Sequence, residues 1–139
     1  MVALKIQEIM TKEVTTLNSN DSIAKAADMM KKINVGSIPV VENNKLVGIV
    51  TDRDIILRNV AKGDSSNQAI SQVMTQDIVS VTPDTDVHEA ADIMAQNQIR
   101  RLPVVQDGSL LGIVSIGDMA VESIFENEAG EALSNISRK

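Results

Sequence analysis

The chain has 139 residues, a formal net charge of −6 at pH 7 and no cysteine. That allows one compact domain or two small units sharing a core, and it excludes disulfides and thiolate metal sites. Phe125 is the one aromatic residue, so the core must be aliphatic; a scarcity of aromatics and an acidic balance count against the stacking platforms and basic surfaces of nucleic-acid binders.

The N-terminal stretch MVALKIQEIMTKE lacks the long apolar run of a signal peptide. No aliphatic stretch is long enough to cross a bilayer. The expectation is a cytoplasmic protein without membrane or nucleic-acid contacts.

The dominant feature is an internal repeat. Shifted by 64 residues, 6–57 aligns with 70–121 without a gap, giving 15 identities in 52 pairs. The matches include Met10-Thr11 with Met74-Thr75, Pro39-Val40-Val41 with Pro103-Val104-Val105, Gly48-Ile49-Val50 with Gly112-Ile113-Val114, and Asp54 with Asp118. Two copies are too few for a solenoid. The pattern predicts an α/β fold of two β-α-β-β-α units about a pseudo-twofold axis.

In chain order, each copy opens with a short predicted strand, Val14–Leu17 or Ile78–Val81. A helix follows: Ile23, Ala26, Ala27 and Met30, and then Val87, Ala90, Ala91 and Met94, recur at i, i+3, i+4, i+7. Asp21-Ser22 precedes the first helix, and Asp86 with Glu89 has capping-box spacing before the second. Next come two apolar strands around a tight turn, SIPVV and LVGIV about Glu42–Lys45, RLPVV and LLGIV about Gln106–Ser109. Asn-Asn and Asp-Gly suit type I′ hairpins. Pro39 and Pro103 lack an N–H and are expected at strand starts or edges. A second helix opens at Thr51 or Ser115. The expected boundaries are 4–60 for the first copy, 61–69 for a polar linker, 70–125 for the second copy and 126–139 for an acidic tail.

IMTKEVTTL and VMTQDIVSV, VGSIPVV and IRRLPVV, and above all LVGIVTDRD and LLGIVSIGD resemble a tandem pair of CBS (cystathionine-β-synthase) domains, the Bateman module. The resemblance covers roughly 4–125. It implies a non-catalytic regulatory module that binds an adenosine-containing ligand between the repeats and signals occupancy to a partner protein. AMP, ADP or ATP leads the ligand expectation, with S-adenosylmethionine and NAD as alternatives. It also implies a homodimer packed through the helices. The apolar surplus at Ile55, Ile56, Leu57, Met119, Val121, Ile124 and Phe125 agrees with that.

Carried over residue by residue, the resemblance implies two sites. Site A combines Thr11, Thr16 and Val35 with Arg100, Arg101, Ile113, Ser115 and Asp118. Site B combines Thr75, Ser80 and Ile99 with Ile49, Thr51 and Asp54. Val35 and Ile113 would sandwich the adenine of site A. The motif carboxylate only accepts hydrogen bonds, so it can take both from the vicinal hydroxyls of a ribose. Thr51 and Ser115 could face the phosphate near a helix start. Arg100-Arg101 stands where Gly36-Ser37 stands in the first copy. Guanidinium forks bind phosphate bidentately, so site A should hold a phosphorylated nucleoside better.

The plain alternative is that Thr51-x-x-Asp54 and Ser115-x-x-Asp118 only cap helices, leaving a ligand-free dimerisation or scaffold module. An enzyme ranks last, because the sequence offers no nucleophile–base–acid set or metal cluster. His88 is read as a surface residue and Met29, Met30, Met94 and Met119 as core filling.

Overall fold

A computed structural model describes residues 4–121, in two compact units. The mid-chain unit spans Thr15–Ile78; the split unit joins 4–14 to 79–121. The units do not coincide with the sequence copies. The leading segment of each copy, carrying Met10-Thr11 or Met74-Thr75, packs with the helix and hairpin of the other copy.

The mid-chain unit contains β1 (Leu17–Asn18), α1 (Ile23–Ile33), β2 (Ser37–Glu42), β3 (Lys45–Thr51) and α2 (Asp52–Ile55). A π turn (Ile56–Val60) and a 3₁₀ turn (Ile70–Gln72) follow. β1 runs parallel to β2 with Leu17 beside Val40, and β2 is antiparallel to β3. The split unit has a 3₁₀ turn (Ile6–Glu8), α3 (Val87–Asn97), β4 (Arg101–Gln106), β5 (Ser109–Ser115) and α4 (Ile116–Val121). β4 and β5 are antiparallel. The predicted Val14–Leu17 strand is displaced to Leu17–Asn18, and Ile78–Val81 reduces to one parallel bridge, Val81 with Val104.

Local chemistry explains both helices. The Ser22 hydroxyl accepts from the Lys25 N–H at 3.1 Å, and Asp86 accepts from the His88 N–H at 2.8 Å. Asn34 and Gln98, both left-handed, end α1 and α3. The next N–H groups, of Val35 and Ile99, reach back to the carbonyls of Met30 and Met94, a Schellman closure. The predicted stripes face the core with one exception: Ala91 is buried but Ala27 is exposed. Each unit has its own aliphatic cluster, Leu17, Ile23, Met30, Ile38 and Val50 in one, Val87, Met94, Leu102, Val114 and Met119 in the other.

The hairpins form as expected, with positive φ at Asn43 and Asn44 and at Asp107 and Gly108, the type I′ pattern. Pro103 sits on an edge strand, β4, as expected, whereas Pro39 lies inside β2, between β1 and β3. Pro39 and Pro103 are third in six-residue strands, paired with Ile49 and Ile113. The Pro103 carbonyl accepts from the Val81 N–H, so its nitrogen lies on the side served by a single bridge rather than on the β5 side. A missing donor there breaks no ladder bond.

The predicted linker is structured. The carbonyls of Gln68 and Ser66 accept from the N–H groups of Ile23 and Ala24 at 2.9 Å each, satisfying donors that the start of α1 leaves open. Asn59, only 2% exposed, holds this loop by donating to the Ser65 carbonyl at 3.0 Å. No helix among the described residues is long and apolar enough to cross a membrane. The 126–139 tail, Ile124 and Phe125 lie outside the described residues, as does the side chain of Val121.

The leading segments dock by backbone. Thr11 and Ile113 exchange N–H···O bonds of 2.8 and 2.9 Å, and Thr75 and Ile49 do the same. Gly112 and Gly48 make the approach feasible: a Cβ on Gly112 would stand 2.8 Å from the Thr11 carbonyl oxygen, and one on Gly48 2.7 Å from the Met74 sulfur and 3.1 Å from the Thr75 oxygen. Gly112→Ala should therefore destabilise by about 1–3 kcal/mol, and by more than Gly48→Ala, where a flexible thioether takes the closest clash. Urea denaturation of the two variants checks the order.

Candidate functional site

Both Ser/Thr-x-x-Asp motifs close as capping boxes. The Thr51 N–H donates to Asp54 Oδ2 at 3.0 Å, and the Asp54 N–H returns to the Thr51 hydroxyl at 3.0 Å. In the split unit the Ser115 N–H donates to Asp118 Oδ2 at 2.9 Å, and the Asp118 N–H donates to the Ser115 hydroxyl at 3.0 Å. The carboxylates are thus aimed by the first turn of their own helix. α2 has only four residues and α4 spans Ile116–Val121.

The two carboxylates sit in different surroundings. Asp54 is 8% exposed. The Thr75 hydroxyl lies 3.2 Å from both of its oxygens, and Arg58 Nη1 stands 3.9 Å from Oδ1. Asp118 is half-buried, and Thr11, the counterpart of Thr75, is exposed. Arg101 stands opposite Ser115 in the β4–β5 register. Burial pushes the Arg101 guanidinium below its ordinary value, and the Asp118 carboxylate opposes that by favouring the charged form. Arg101 stays charged at any physiological pH.

The rims differ as well. Arg100 is exposed at the entry to β4, and its carbonyl accepts from the Ile116 N–H at 3.0 Å. At the matching place in the mid-chain unit, the Gly36 carbonyl accepts from the Asp52 N–H. The Asp52 carboxylate folds over Gly36, 3.2 Å from where a Cβ would be. One rim presents guanidinium, the other a carboxylate.

Of the residues expected in site A, the split unit holds Thr11, Arg100, Arg101, Ile113, Ser115 and Asp118, while Thr16 and Val35 belong to the mid-chain unit. Of those expected in site B, the mid-chain unit holds Ile49, Thr51, Asp54 and Thr75, while Ser80 and Ile99 belong to the split unit. Sequence reasoning missed Asp52 and Arg58. Asp54 and Arg58 are four apart on a helical segment, a spacing that puts side chains on one face, and that signal was available. His88 is exposed, and Met30, Met94 and Met119 are buried. Ile55 and Met119, counted in the apolar surplus, are instead core residues, 8% and 0% exposed. Ile56, Leu57 and Val60 remain more than half exposed.

The family model described as CBS domain matches residues 6–60 and 70–123. The chain belongs to the CBS domain family. It is 46% identical over 134 residues to the CBS domain-containing protein YhcV of Bacillus subtilis, covering 96% of each chain. Its fold is similar to that of a putative acetoin utilization protein from Vibrio cholerae, with a TM-score of 0.81 and 29% identity, covering 94% of this chain and 97% of that one. It is also similar to the CBS domain pair of protein MJ0100 in complex with 5′-methylthioadenosine and S-adenosyl-L-methionine. There the TM-score is 0.75 and the identity 30%, covering 91% and 99% of the two chains. The fold is thus a mixed α/β CBS pair.

The capping boxes carry a stability prediction. Thr51→Ala and Ser115→Ala should each cost about 1 kcal/mol, read from chemical denaturation midpoints at constant slope.

Proposed function

We propose that this CBS pair is a non-catalytic regulatory module whose split unit binds an adenosine-containing nucleotide and whose occupancy is read by a partner protein. The observation that carries this is the placing of half-buried Arg101 in register with Ser115, whose N–H aims half-buried Asp118. A nucleotide presents a vicinal diol and an anion a few bonds apart. An aimed carboxylate accepts from the first, and a desolvated guanidinium binds the second. Thr11, Ile113 and Arg100 belong to the same rim. Thr16 and Val35 are part of the proposal as residues contributed by the other unit. AMP, ADP or ATP fits the guanidinium, while S-adenosylmethionine or NAD are the alternatives within the same adenosine class. The MJ0100 complex supports the class, since both of its ligands contain adenosine.

The mid-chain residues Ile49, Thr51, Asp54 and Thr75, with Ser80 and Ile99 from the other unit, form the second, weaker site of this proposal. Association of copies through the face bearing Ile56, Leu57 and Val60 belongs to the same reading. A cytoplasmic location does too, supported by the acidic, aliphatic composition.

A second reading, a ligand-free scaffold, is favoured by one observation: both capping boxes are complete within the protein. Isothermal titration with AMP, ADP, ATP, NAD and S-adenosylmethionine separates the two. Asp118→Asn should weaken the best ligand about 10- to 100-fold, the worth of charge-assisted hydrogen bonds. Arg101→Gln should weaken AMP while leaving adenosine nearly unchanged. Heat uptake by none of the five compounds would favour the scaffold, and sedimentation of the same samples reports the association of copies.

A further inference from the structure

The mid-chain carboxylate is already engaged from within. Arg58 lies on the π turn after α2, one helical turn beyond Asp54. Its Nη1 donates to the Val73 carbonyl at 3.1 Å and approaches the Met74 carbonyl at 3.4 Å. Those carbonyls immediately precede Thr75, whose hydroxyl bonds Asp54. The guanidinium therefore holds the Val73–Thr75 segment down while its charge faces Asp54 Oδ1 at 3.9 Å. Below it the same segment is fixed by the Thr75–Ile49 backbone pair. The matching position in the second copy is Glu122, whose charge is opposite.

We propose that Arg58 is an internal latch on the mid-chain adenosine site, a positioning residue that keeps Thr75 on Asp54 and must release before a ribose can take the carboxylate. The proposal rests on the reading of the Ser/Thr-x-x-Asp carboxylates as ribose acceptors. It follows that the two sites fill in order, the Asp118 site first and the Asp54 site only where ligand is in excess. Occupancy of the second site then reports high ligand concentration rather than ligand presence.

The test uses the full chain carrying Asp118→Asn, which weakens the first site, titrated with adenosine and with AMP. Adding Arg58→Gln, or Arg58→Met to keep the side-chain stem, should tighten the residual adenosine binding about 3- to 10-fold, the effect of no longer breaking one or two ordinary hydrogen bonds. Asp54→Asn should remove the gain that the Arg58 variants bring. In the unliganded chain, Arg58→Gln should also speed hydrogen exchange at the Thr75 and Ile49 amides. Unchanged affinity with both Arg58 variants overturns the latch. Weaker binding overturns it too, by making Arg58 a ligand contact. If the unsubstituted chain takes up no adenosine compound and Asp118→Asn changes nothing, the parent reading fails and the latch with it. That pattern is distinct from one equivalent bound through Asp118 with Arg58 inert.

Discussion

Each unit is organised around a pair of backbone hydrogen bonds: Thr11 with Ile113 in one, Thr75 with Ile49 in the other. These bonds join a leading segment to a hairpin strand, and glycine at 112 and 48 leaves room for the close approach. A methyl group at either position would meet a carbonyl oxygen or a methionine sulfur before the bonds could close. Glycine inside a strand usually weakens it. Here it admits a second backbone and, in the mid-chain unit, so brings Thr75 beside Asp54. The aliphatic cores, with Ile6 under one leading segment and Ile70 under the other, then seal each segment in place.

From this one arrangement the two sites diverge by side chains alone. Where the leading threonine stays exposed and the opposing cation is Arg101, the carboxylate remains accessible. Where the threonine bonds the carboxylate and Arg58 pins its segment, the carboxylate is buried and engaged. Asp52 over Gly36 adds negative charge at the rim that would have to meet a phosphate. Capping and ligand recognition do not compete for the aspartates. The box fixes the carboxylate's direction through the N–H of Ser115 or Thr51, and a carboxylate has acceptor capacity beyond one such bond.

Much of the fold was legible in the sequence because its determinants are local. Asn43-Asn44 and Asp107-Gly108 specify their turns through positive φ, Ser22 and Asp86 start their helices, and the methionine and alanine stripes mark buried faces. The exchange of leading segments was implied by the family resemblance, which set Thr11 with Ile113 and Thr75 with Ile49, but not by the residues themselves, because it joins Thr11 to a strand about a hundred residues away. Its trace was the glycine repeated at the same strand position. Pro39 departs from the expectation for a related reason: whether a missing N–H matters depends on which neighbour lies on that side. The capping boxes of Asp54 and Asp118 could be read from their spacing. The spacing offers Arg58 to Asp54, but its bonds to the carbonyls of Val73 and Met74 carry no sequence signal.

The central claim is that two carboxylates aimed by identical capping boxes differ in readiness for a ribose. The direct measurement is carbon-13 NMR of the aspartate side-chain carboxyls during titration with AMP, assigned through Asp118→Asn and Asp54→Asn. The Asp118 resonance should move at the first equivalent, with Asp54 following only in excess ligand. Simultaneous movement of both, movement of Asp54 first, or no movement of Asp118 at saturating AMP would contradict it.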